Sequence, residues 1–454
     1  MQQNLLIVFA SYVFYGWWDW RFLLLIAFTS LCSYAAGLAI SKYEEQGKKQ
    51  KMLSAANIIF NLLILGVFKY YKFFSESFAE LFRGLGYTID VVTLNVILPV
   101  GISFYTFQAL SYSIDVYQGK IKPTKDVVQF FTYISFFPQL VAGPIERATN
   151  LLSQFNQQRL FDYTQTVDGL RQMLWGFFKK VVVADICAHY VDQNWGYYED
   201  LPGLMLIELA VLFTFQIYCD FSGYSDIAIG CAKLFGIRLM RNFDVPYFSR
   251  NIGEFWRRWH ISLMSWFRDY VYIPLGGNRC AKWRAMTNVL IVFLISGLWH
   301  GANWTFVAWG GYNGMLIVMA SLVGWDTKFK TVVAIDKRLP TVNEILSMMF
   351  TFILVVVGWI IFRAESIDQM RGYFYAMFTN SFVGSWLKIY YVPIVAVIIM
   401  MSIEWITRQW QHALTLPMKG LLRHRVVRWG IYYVLVLAIY RFWGYAQDFI
   451  YFQF

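Results

Sequence analysis

The sequence predicts an all-α, polytopic integral membrane protein, because apolar segments of membrane-spanning length recur along it and charged residues are scarce. Of its 454 residues, 58% are hydrophobic and only 15% are charged, whereas a soluble domain carries about 25% charged residues. An apolar run of about 20 residues is long enough to cross the hydrocarbon core of a bilayer as a helix. These observations argue against a soluble globular fold.

Twelve apolar segments follow one another along the chain. They cover residues 4–18, 22–40, 53–72, 94–117, 126–144, 170–193, 204–236, 286–300, 303–323, 346–363, 386–406 and 427–443. Several are interrupted or short, so we expect about ten to twelve membrane helices in a single domain over residues 1–454. The first segment lacks a basic leader and a small-residue cleavage site, so we expect no cleavable signal peptide.

The net charge of +11 is explained by membrane topology, and we do not expect nucleic-acid binding. They cluster in short loops between apolar segments, at 41–51, 119–126, 276–284 and 408–428. Basic loops stay on the cytoplasmic side of a membrane, so the last segment is expected to carry the C-terminus toward the outer face. The five cysteines form no CxxC motif, so we predict neither a disulfide framework nor a metal site.

The segment EFWRRWHISLMSWFRDYVYIPLGG at 254–277 is predicted to form one amphipathic helix that lies in the membrane interface. On a helix, its aromatic residues share one face, and Arg257, Arg258 and Arg268 share the other. These arginines are suited to lipid headgroups, which is the simpler interpretation, or to the phosphates of an anionic donor. His260 falls at the edge of the apolar face, where an amphipathic histidine is common.

The segment SGLWHGANWT places His300 between two apolar segments and therefore at membrane depth, where ionisable residues are rare and mark function. A desolvated histidine stays neutral, which is the form that a general base needs. Gly297 and Gly301 form a GxxxG motif, which lets another backbone approach closely. Asn303 and Trp304 follow at i+3 and i+4 and are predicted to share the face of His300. A buried structural histidine is the alternative interpretation.

Two further segments carry unusual residues in apolar surroundings. In FPQLVAGPIER at 137–147, prolines and a glycine predict a re-entrant or kinked segment, because broken backbone at membrane depth is tolerated only inside protein or beside a water-filled cavity. In YCDFSGYSDIAIG at 218–230, Asp220 and Asp226 are interpreted as members of structural ion pairs or, alternatively, as the lining of a polar cavity. The remaining histidines are interpreted as solvated or interfacial: His189, His412 and His424.

Together, WRRWHISLMSWFRDYVYIPLGGNR and GLWHGANWT resemble the membrane-bound O-acyltransferases, and more narrowly the membrane subunits that O-acetylate alginate or peptidoglycan. The segments LPVGISFYTFQALSYSIDVYQG, FFPQLVAGPIER and DFSGYSDIAIG extend this resemblance over most of the chain. The D-alanyl transfer subunit of teichoic acid modification is similar at a greater distance. The resemblance implies helices ringed around a central tunnel, with a cytoplasmic acyl donor on one side and the acceptor on the other.

The resemblance also implies roles for individual residues. His300 matches the catalytic histidine of the family, and His260 matches the histidine of its second motif. Candidates for the substrate tunnel or for stabilising an oxyanion are Trp299, Asn303, Trp304 and Asp226. Candidates for the donor entrance are Arg257, Arg258 and Arg268.

The resemblance further implies a multi-pass enzyme of the bacterial cytoplasmic membrane. It transfers an acyl group, expected to be acetyl, from a thioester donor such as acetyl-CoA or an acyl carrier protein, and it binds no cofactor. The acceptor is an extracytoplasmic polysaccharide. The expected partners are membrane lipids and an extracytoplasmic soluble protein of the acetyltransferase or esterase type.

The segment FIYFQF at 449–454 contains four aromatic residues and no charge. Exposed aromatic residues favour aggregation over solvation, so we expect an apolar environment for it. It resembles the C-terminal aromatic hexapeptide of bacterial relatives, whose tyrosine is proposed to receive the acyl group. The resemblance therefore implies that Tyr451 is a covalent acyl carrier.

Two other functions compete with acyl transfer. In a transporter or export channel, His300, Asp220 and Asp226 would relay protons, although no paired internal repeat is visible in the sequence. In an interaction subunit, the aromatic tail would only dock a soluble enzyme.

Overall fold

The structure is a computed structural model that describes residues 1–44, 46–88, 97–325, 329, 332–335, 337–384, 389–417 and 420–450. These residues form 19 α-helices and no β-strand, which confirms the predicted all-α fold. Two compact units are present, Met1–Asp162 with Ala232–Met240 and Tyr163–Cys231 with Arg241–Phe454. The single domain predicted over residues 1–454 stays a prediction.

The first unit contains eight helices. They are α1 (Gln2–Trp18), α2 (Arg21–Lys42), α3 (Gly47–Leu65), α4 (Tyr71–Gly84), α5 (Ile102–Tyr117), α6 (Val127–Ser135), α7 (Phe137–Leu140) and α8 (Ala148–Gln154). A π-helical turn, Gly66–Tyr70, joins α3 to α4. The segment 137–147 leaves helical geometry after α7, and the residues from Ala142 to Glu146 are buried. The predicted break in this segment is therefore confirmed.

The second unit contains the other eleven helices, except for the end of α11. They are α9 (Tyr163–Phe177), α10 (Asp185–Asn194), α11 (Gly203–Leu234), α12 (Ile252–Arg258), α13 (Ile261–Phe267), α14 (Lys282–His300), α15 (Trp304–Leu322), α16 (Val342–Arg363), α17 (Ile367–Thr379), α18 (Tyr391–Thr407) and α19 (Arg425–Phe442). A π-helical segment, Phe178–Ala184, joins α9 to α10.

Six helices in the described part of the chain are long and apolar enough to cross a membrane. They are Arg21–Lys42, Gly47–Gly84, Gly203–Leu234, Trp304–Leu322, Val342–Arg363 and Arg425–Tyr445. The protein is therefore a multi-pass membrane protein, with fewer such helices than the ten to twelve expected. Other predicted segments form helices of only 17 residues, as α1 and α18 do, or are divided. For example, the segment 126–144 is interrupted at Phe136, between α6 and α7.

The helices α14 and α15 form a hairpin whose backbones are in direct contact. A Cβ atom at Gly297 would collide with the carbonyl oxygen of Phe306, and one at Gly310 would collide with that of Phe293. The close backbone approach predicted from the GxxxG motif is therefore confirmed at Gly297. At Gly301, a Cβ atom would collide with the Phe306 ring and not with backbone. The contacts at Gly297, Gly301 and Gly310 fix the end of α14 against α15.

Candidate active site

His300 is the last residue of α14, and its side chain is buried. Aromatic rings from three helices surround it. The centroid of its imidazole lies 5.0 Å from that of Trp299, 5.1 Å from that of Trp309 and 5.5 Å from that of Phe362. These rings shield the imidazole from bulk water.

The chain leaves helical geometry directly after His300, because Gly301 is extended. Asn303 is the N-cap of α15, where its Oδ1 accepts a hydrogen bond from the Thr305 amide at 3.1 Å. Its Nδ2 donates to the carbonyl oxygen of Glu365 at 2.7 Å. The prediction that Asn303 and the following tryptophan share the helical face of His300 is therefore wrong. Trp304 is 52% exposed.

His260 lies in a break between α12 and α13, in left-handed backbone with a φ of 43°. The prediction of one continuous amphipathic helix over 254–277 is therefore wrong, because α12 ends at Arg258 and α13 begins at Ile261. Left-handed backbone at a residue other than glycine costs about 1–3 kcal/mol and persists only where the surroundings hold it. Such strain is concentrated at functional sites.

Asn242 holds this break in place. Its carbonyl oxygen accepts the Ile261 amide at 2.9 Å, and its Oδ1 accepts the Ser262 hydroxyl at 2.6 Å. Its Nδ2 donates to Ser225 Oγ on α11 at 3.2 Å. Asn242 is fully buried, so these hydrogen bonds form away from water and offset the backbone strain at His260. This role could not be predicted from the sequence, because Asn242 lies in no recognisable motif.

His260 is buried, with 1% of its surface exposed, so the interpretation of an amphipathic histidine at a helix edge is wrong. Its ring centroid lies 4.7 Å from that of Phe221, 6.0 Å from that of Trp299 and 6.4 Å from that of His300. Neither ring nitrogen has a hydrogen-bond partner among the described residues. Burial lowers the pKa of His260 to about 3.

The two imidazoles therefore come from separate motifs and meet in one aromatic enclosure of the second unit. Leaving a buried polar group without a hydrogen bond costs about 1–3 kcal/mol. The two ring nitrogens of His260, which have no such partner among the described residues, suit a site that a bound substrate completes. Trp299 contacts both rings and is itself buried.

The family of the chain is decided by a match that extends over most of its length. The profile described as "MBOAT, membrane-bound O-acyltransferase family" matches residues 9–359, which include both histidines. The chain belongs to this family. It is therefore an acyltransferase of the multi-pass membrane type.

Named relatives support the same assignment. A protein of Pseudomonas aeruginosa named "Probable alginate O-acetylase AlgI" is 40% identical over 388 residues, which cover 85% of this chain and 71% of the relative. A Helicobacter pylori protein named "Peptidoglycan O-acetyltransferase" is 34% identical over 392 residues, 81% of this chain and 72% of the relative. A Bacillus subtilis protein named "Teichoic acid D-alanyltransferase" is 29% identical over 289 residues, 60% of this chain and 70% of the relative.

The three arginines predicted to lie at the donor entrance, Arg257, Arg258 and Arg268, are not all exposed. Arg258 is buried, with its Nη2 atom 3.0 Å from Glu254 Oε1 and its Nη1 atom 2.9 Å from Asp244 Oδ2. The prediction that Arg258 projects from a polar helix face is therefore wrong, because its charge is neutralised inside the protein. Arg257 and Arg268 are exposed and remain candidates for contact with the donor or with lipid headgroups.

The two aspartates of α11 form ion pairs with two adjacent lysines. Asp226 Oδ2 lies 2.6 Å from Lys179 Nζ, and Asp220 Oδ1 lies 2.8 Å from Lys180 Nζ. The ion-pair interpretation is therefore confirmed for both carboxylates. The alternative of a transporter with an aspartate proton relay gains no support from this arrangement, and the family is one of acyltransferases.

The remaining histidines divide into buried and exposed ones. His412 is buried, and its Nε2 lies 2.9 Å from Asp168 Oδ1, so its interpretation as solvated is wrong. His424 is exposed, as predicted, and His189 is partly exposed beside Tyr445. The sequence missed the buried pair because Asp168 lies far from His412 along the chain.

The aromatic tail is described as far as Ile450, so the predicted acyl carrier Tyr451 lies outside the described residues. Phe449 and Ile450 are 7% and 1% exposed. The expected apolar environment is therefore confirmed for these two residues. The Ile450 amide donates to Asp220 Oδ2 at 2.6 Å, which brings the tail to α11.

Proposed function

We propose that this acyltransferase moves an acetyl group from a cytoplasmic thioester toward an extracytoplasmic polysaccharide. The observation that carries the proposal is the pair of buried imidazoles, His260 and His300, with ring centroids 6.4 Å apart in an aromatic enclosure. The names of the relatives support acetyl as the acyl group and a cell-envelope polymer as the acceptor. The donor is acetyl-CoA or an acetylated carrier protein, which acts as a substrate and not as a bound cofactor.

His300 is the general base in this proposal. It takes the proton of an acceptor hydroxyl as the oxygen attacks the thioester carbonyl carbon. The new C–O bond forms, the C–S bond then breaks, and the imidazolium returns the proton to the departing sulfur. Protons and acyl groups therefore balance without any further reactant.

His260 is assigned a different role, because a general base works best when its pKa lies near the operating pH. A pKa of about 3 makes His260 a poor base and keeps its ring neutral. A neutral imidazole has one N–H group, which is available here to stabilise the oxyanion of the attacked carbonyl. Asn303 is less suited to that role, because it caps α15 and donates to Glu365.

The same reaction requires an entrance for the acyl donor and a partner that receives the acetyl group. Arg257 and Arg268 are the exposed arginines of this region, and we assign them to the donor entrance, beside lipid headgroups. The enzyme works in the bacterial cytoplasmic membrane and hands the acetyl group to a soluble extracytoplasmic protein of the acetyltransferase or esterase type. That partner selects the polysaccharide.

Tyr451 is the proposed intermediate carrier of the acetyl group. Tyr451→Phe tests this role, because it keeps the ring and removes only the oxygen that can bear an ester. Tyr445→Phe is the matched control, since this tyrosine lies in the turn that follows α19. The purified protein is incubated with labelled acetyl-CoA or acetylated carrier protein, and the C-terminal peptide is analysed by mass spectrometry.

We expect one acetyl group on Tyr451 of the unmodified protein when the soluble partner is absent. Tyr451→Phe should abolish transfer to the partner, while Tyr445→Phe should transfer normally. Normal transfer by Tyr451→Phe would show that the tail only docks or packs, and that the acceptor hydroxyl lies elsewhere. If His300→Ala loses transfer and Tyr451→Phe transfers normally, the role of His300 as the base is retained and the role of Tyr451 as the carrier is rejected.

A further inference from the structure

A buried ionic cluster in the second unit has more acceptor oxygens than its own lysine satisfies. Lys180 Nζ lies 2.8 Å from Asp185 Oδ1 and 2.8 Å from Asp220 Oδ1. The side chains of Asp185 and Asp220 are 2% and 3% exposed. Buried carboxylates are costly unless hydrogen-bond donors occupy their lone pairs. Two carboxylates that share one ammonium therefore need further donors.

The main chain of the tail supplies one such donor. The Ile450 amide donates to Asp220 Oδ2 at 2.6 Å. In return, Lys180 Nζ donates to the Gln447 carbonyl oxygen at 3.0 Å. Lys180 and Asp220 therefore both bond the backbone of residues 447–450, and Asp185 holds the lysine. Such contacts hold the path of the chain and do not depend on the side chains of the tail.

The same helix that carries Asp220 also connects the tail to the histidine pair. The Phe449 ring centroid lies 5.2 Å from that of Tyr224 and 6.3 Å from that of Phe221. Phe221 also contacts His260, with ring centroids 4.7 Å apart. The docked tail and the candidate active site therefore share a contact with one phenylalanine of α11.

We propose that Asp220, together with Lys180 and Asp185, is a dock that seats the tail backbone and positions the following Tyr451 for acylation. The docking itself follows from the contacts of residues 447–450, and the purpose assigned to it rests on the proposed function. Asp220 is a positioning residue in this account, because it holds the residue directly before the proposed acyl carrier and touches no reacting atom.

Asp220→Asn is the sharpest change, because an amide cannot satisfy both neighbours of the carboxylate. If its oxygen faces Lys180, its NH2 group faces the Ile450 amide, and two donors then oppose each other. The lysine keeps its partner Asp185, so the buried charge is not left unpaired. Asp226→Asn is the matched control, since Asp226 lies on the same helix and pairs with Lys179 instead.

The first measurement is carboxypeptidase digestion of the full-length protein in detergent, followed by intact mass spectrometry. We expect Asp220→Asn to lose Phe449 and Ile450 at least tenfold faster than the unmodified protein, which corresponds to about 1.4 kcal/mol of docking free energy. Asp226→Asn should lose these residues at the unmodified rate. Equal digestion of Asp220→Asn and the unmodified protein would overturn the dock.

A second pair of variants leaves the helices untouched and keeps the test decisive should Asp220→Asn fold poorly. Ile450→Pro removes the amide N–H that Asp220 accepts, whereas Ile450→Val keeps it. We expect acetylation of Tyr451 to be at least tenfold slower in Ile450→Pro and unchanged in Ile450→Val. Equal rates in both would overturn the positioning role.

Failure of the dock and failure of the proposed carrier give different results. If Tyr451 is not acylated in the unmodified protein, the carrier role falls, and carboxypeptidase protection still reports on the dock. Tyr451→Phe should keep the protection of Phe449 and Ile450, because it changes neither backbone contact. Loss of protection in Tyr451→Phe would contradict the dock.

Discussion

The two buried histidines are held by different kinds of structure, although their rings are neighbours. His300 ends the regular helix α14, which is fixed against α15 by direct backbone contact at Gly297 and Gly310. His260 lies in a left-handed break of the chain. Its position depends on the hydrogen bonds that Ile261 and Ser262 donate to Asn242, which belongs to a different segment.

His300 is placed by its own helix hairpin, whereas His260 is placed by hydrogen bonds to a separate segment. The end of α14 needs no support beyond the adjoining helix, and the strained break at His260 persists only while its partners hold it. We therefore expect His300 to be sensitive to changes in its own side chain. We expect His260 to be sensitive also to changes at Asn242.

Replacing His300 should have the largest effect on activity. His300→Ala removes the proposed base, and general acid–base catalysis contributes about 10²–10⁴-fold to a rate. We expect a loss of acetyl transfer of that size, measured with purified protein, while gel filtration shows a normally folded chain. His424→Ala is the control, because His424 is exposed. Full activity of well-folded His300→Ala would end the assignment of the base.

Replacing His260 should have a smaller effect that depends on the new side chain. His260→Leu removes the proposed N–H donor, and loss of one such donor costs about 10²–10³-fold in rate. His260→Gln keeps an N–H group and should retain more activity than His260→Leu. Transfer rates of the two variants at saturating donor compare them directly. Equal loss in both would argue that His260 fills space and does not donate.

Replacing Asn242 should act only through His260. We expect Asn242→Ala to lower the maximal rate about tenfold with little change in KM, because displacement of a catalytic group weakens the transition state more than substrate binding. The same substitution made in His260→Leu should cause no further loss, which a double-mutant cycle measures. Additive losses would show that Asn242 supports the fold in general.

The burial of His260 also predicts a pH dependence of stability. Burial lowers the pKa of His260 to about 3 from its ordinary 6.5, so the unfolded chain binds a proton that the folded protein excludes. Stability from this source is therefore lost as the pH falls below about 6.5, and the loss reaches about 2 kcal/mol at about pH 5. The Tm of the unmodified protein should fall more than that of His260→Gln between these pH values. Parallel curves would contradict the buried neutral ring.

The contrast also explains what the sequence was able to predict. The His300 region was predicted well, because the glycine spacing and the flanking apolar segments are local signals. The hairpin contact at Gly297 and the burial of His300 followed from them. The continuation of the helix to Asn303 was wrong, because Asn303 is itself a helix cap and competes with helix propagation.

The His260 region was predicted poorly for a physical reason. Its aromatic and basic residues keep a helical pattern across the break, and periodicity alone cannot detect hydrogen bonds from a distant segment. The same limit explains Arg258 and His412, whose acidic partners Asp244 and Asp168 lie elsewhere in the chain. Tertiary ion pairs make burial of these charges tolerable, and a single sequence does not show them.

The role proposed for His300 is to deprotonate the nucleophile that attacks the thioester. A single-turnover experiment with excess enzyme and acetyl-CoA or acetylated carrier protein tests it directly by following release of the free thiol. We predict that His300→Gln slows thiol release by about 10²-fold or more, while equilibrium binding of the same donor changes by less than about twofold, since a base adds little to ground-state binding. Thiol release at the unmodified rate in His300→Gln would contradict the claim, because the thioester would then be opened without this base.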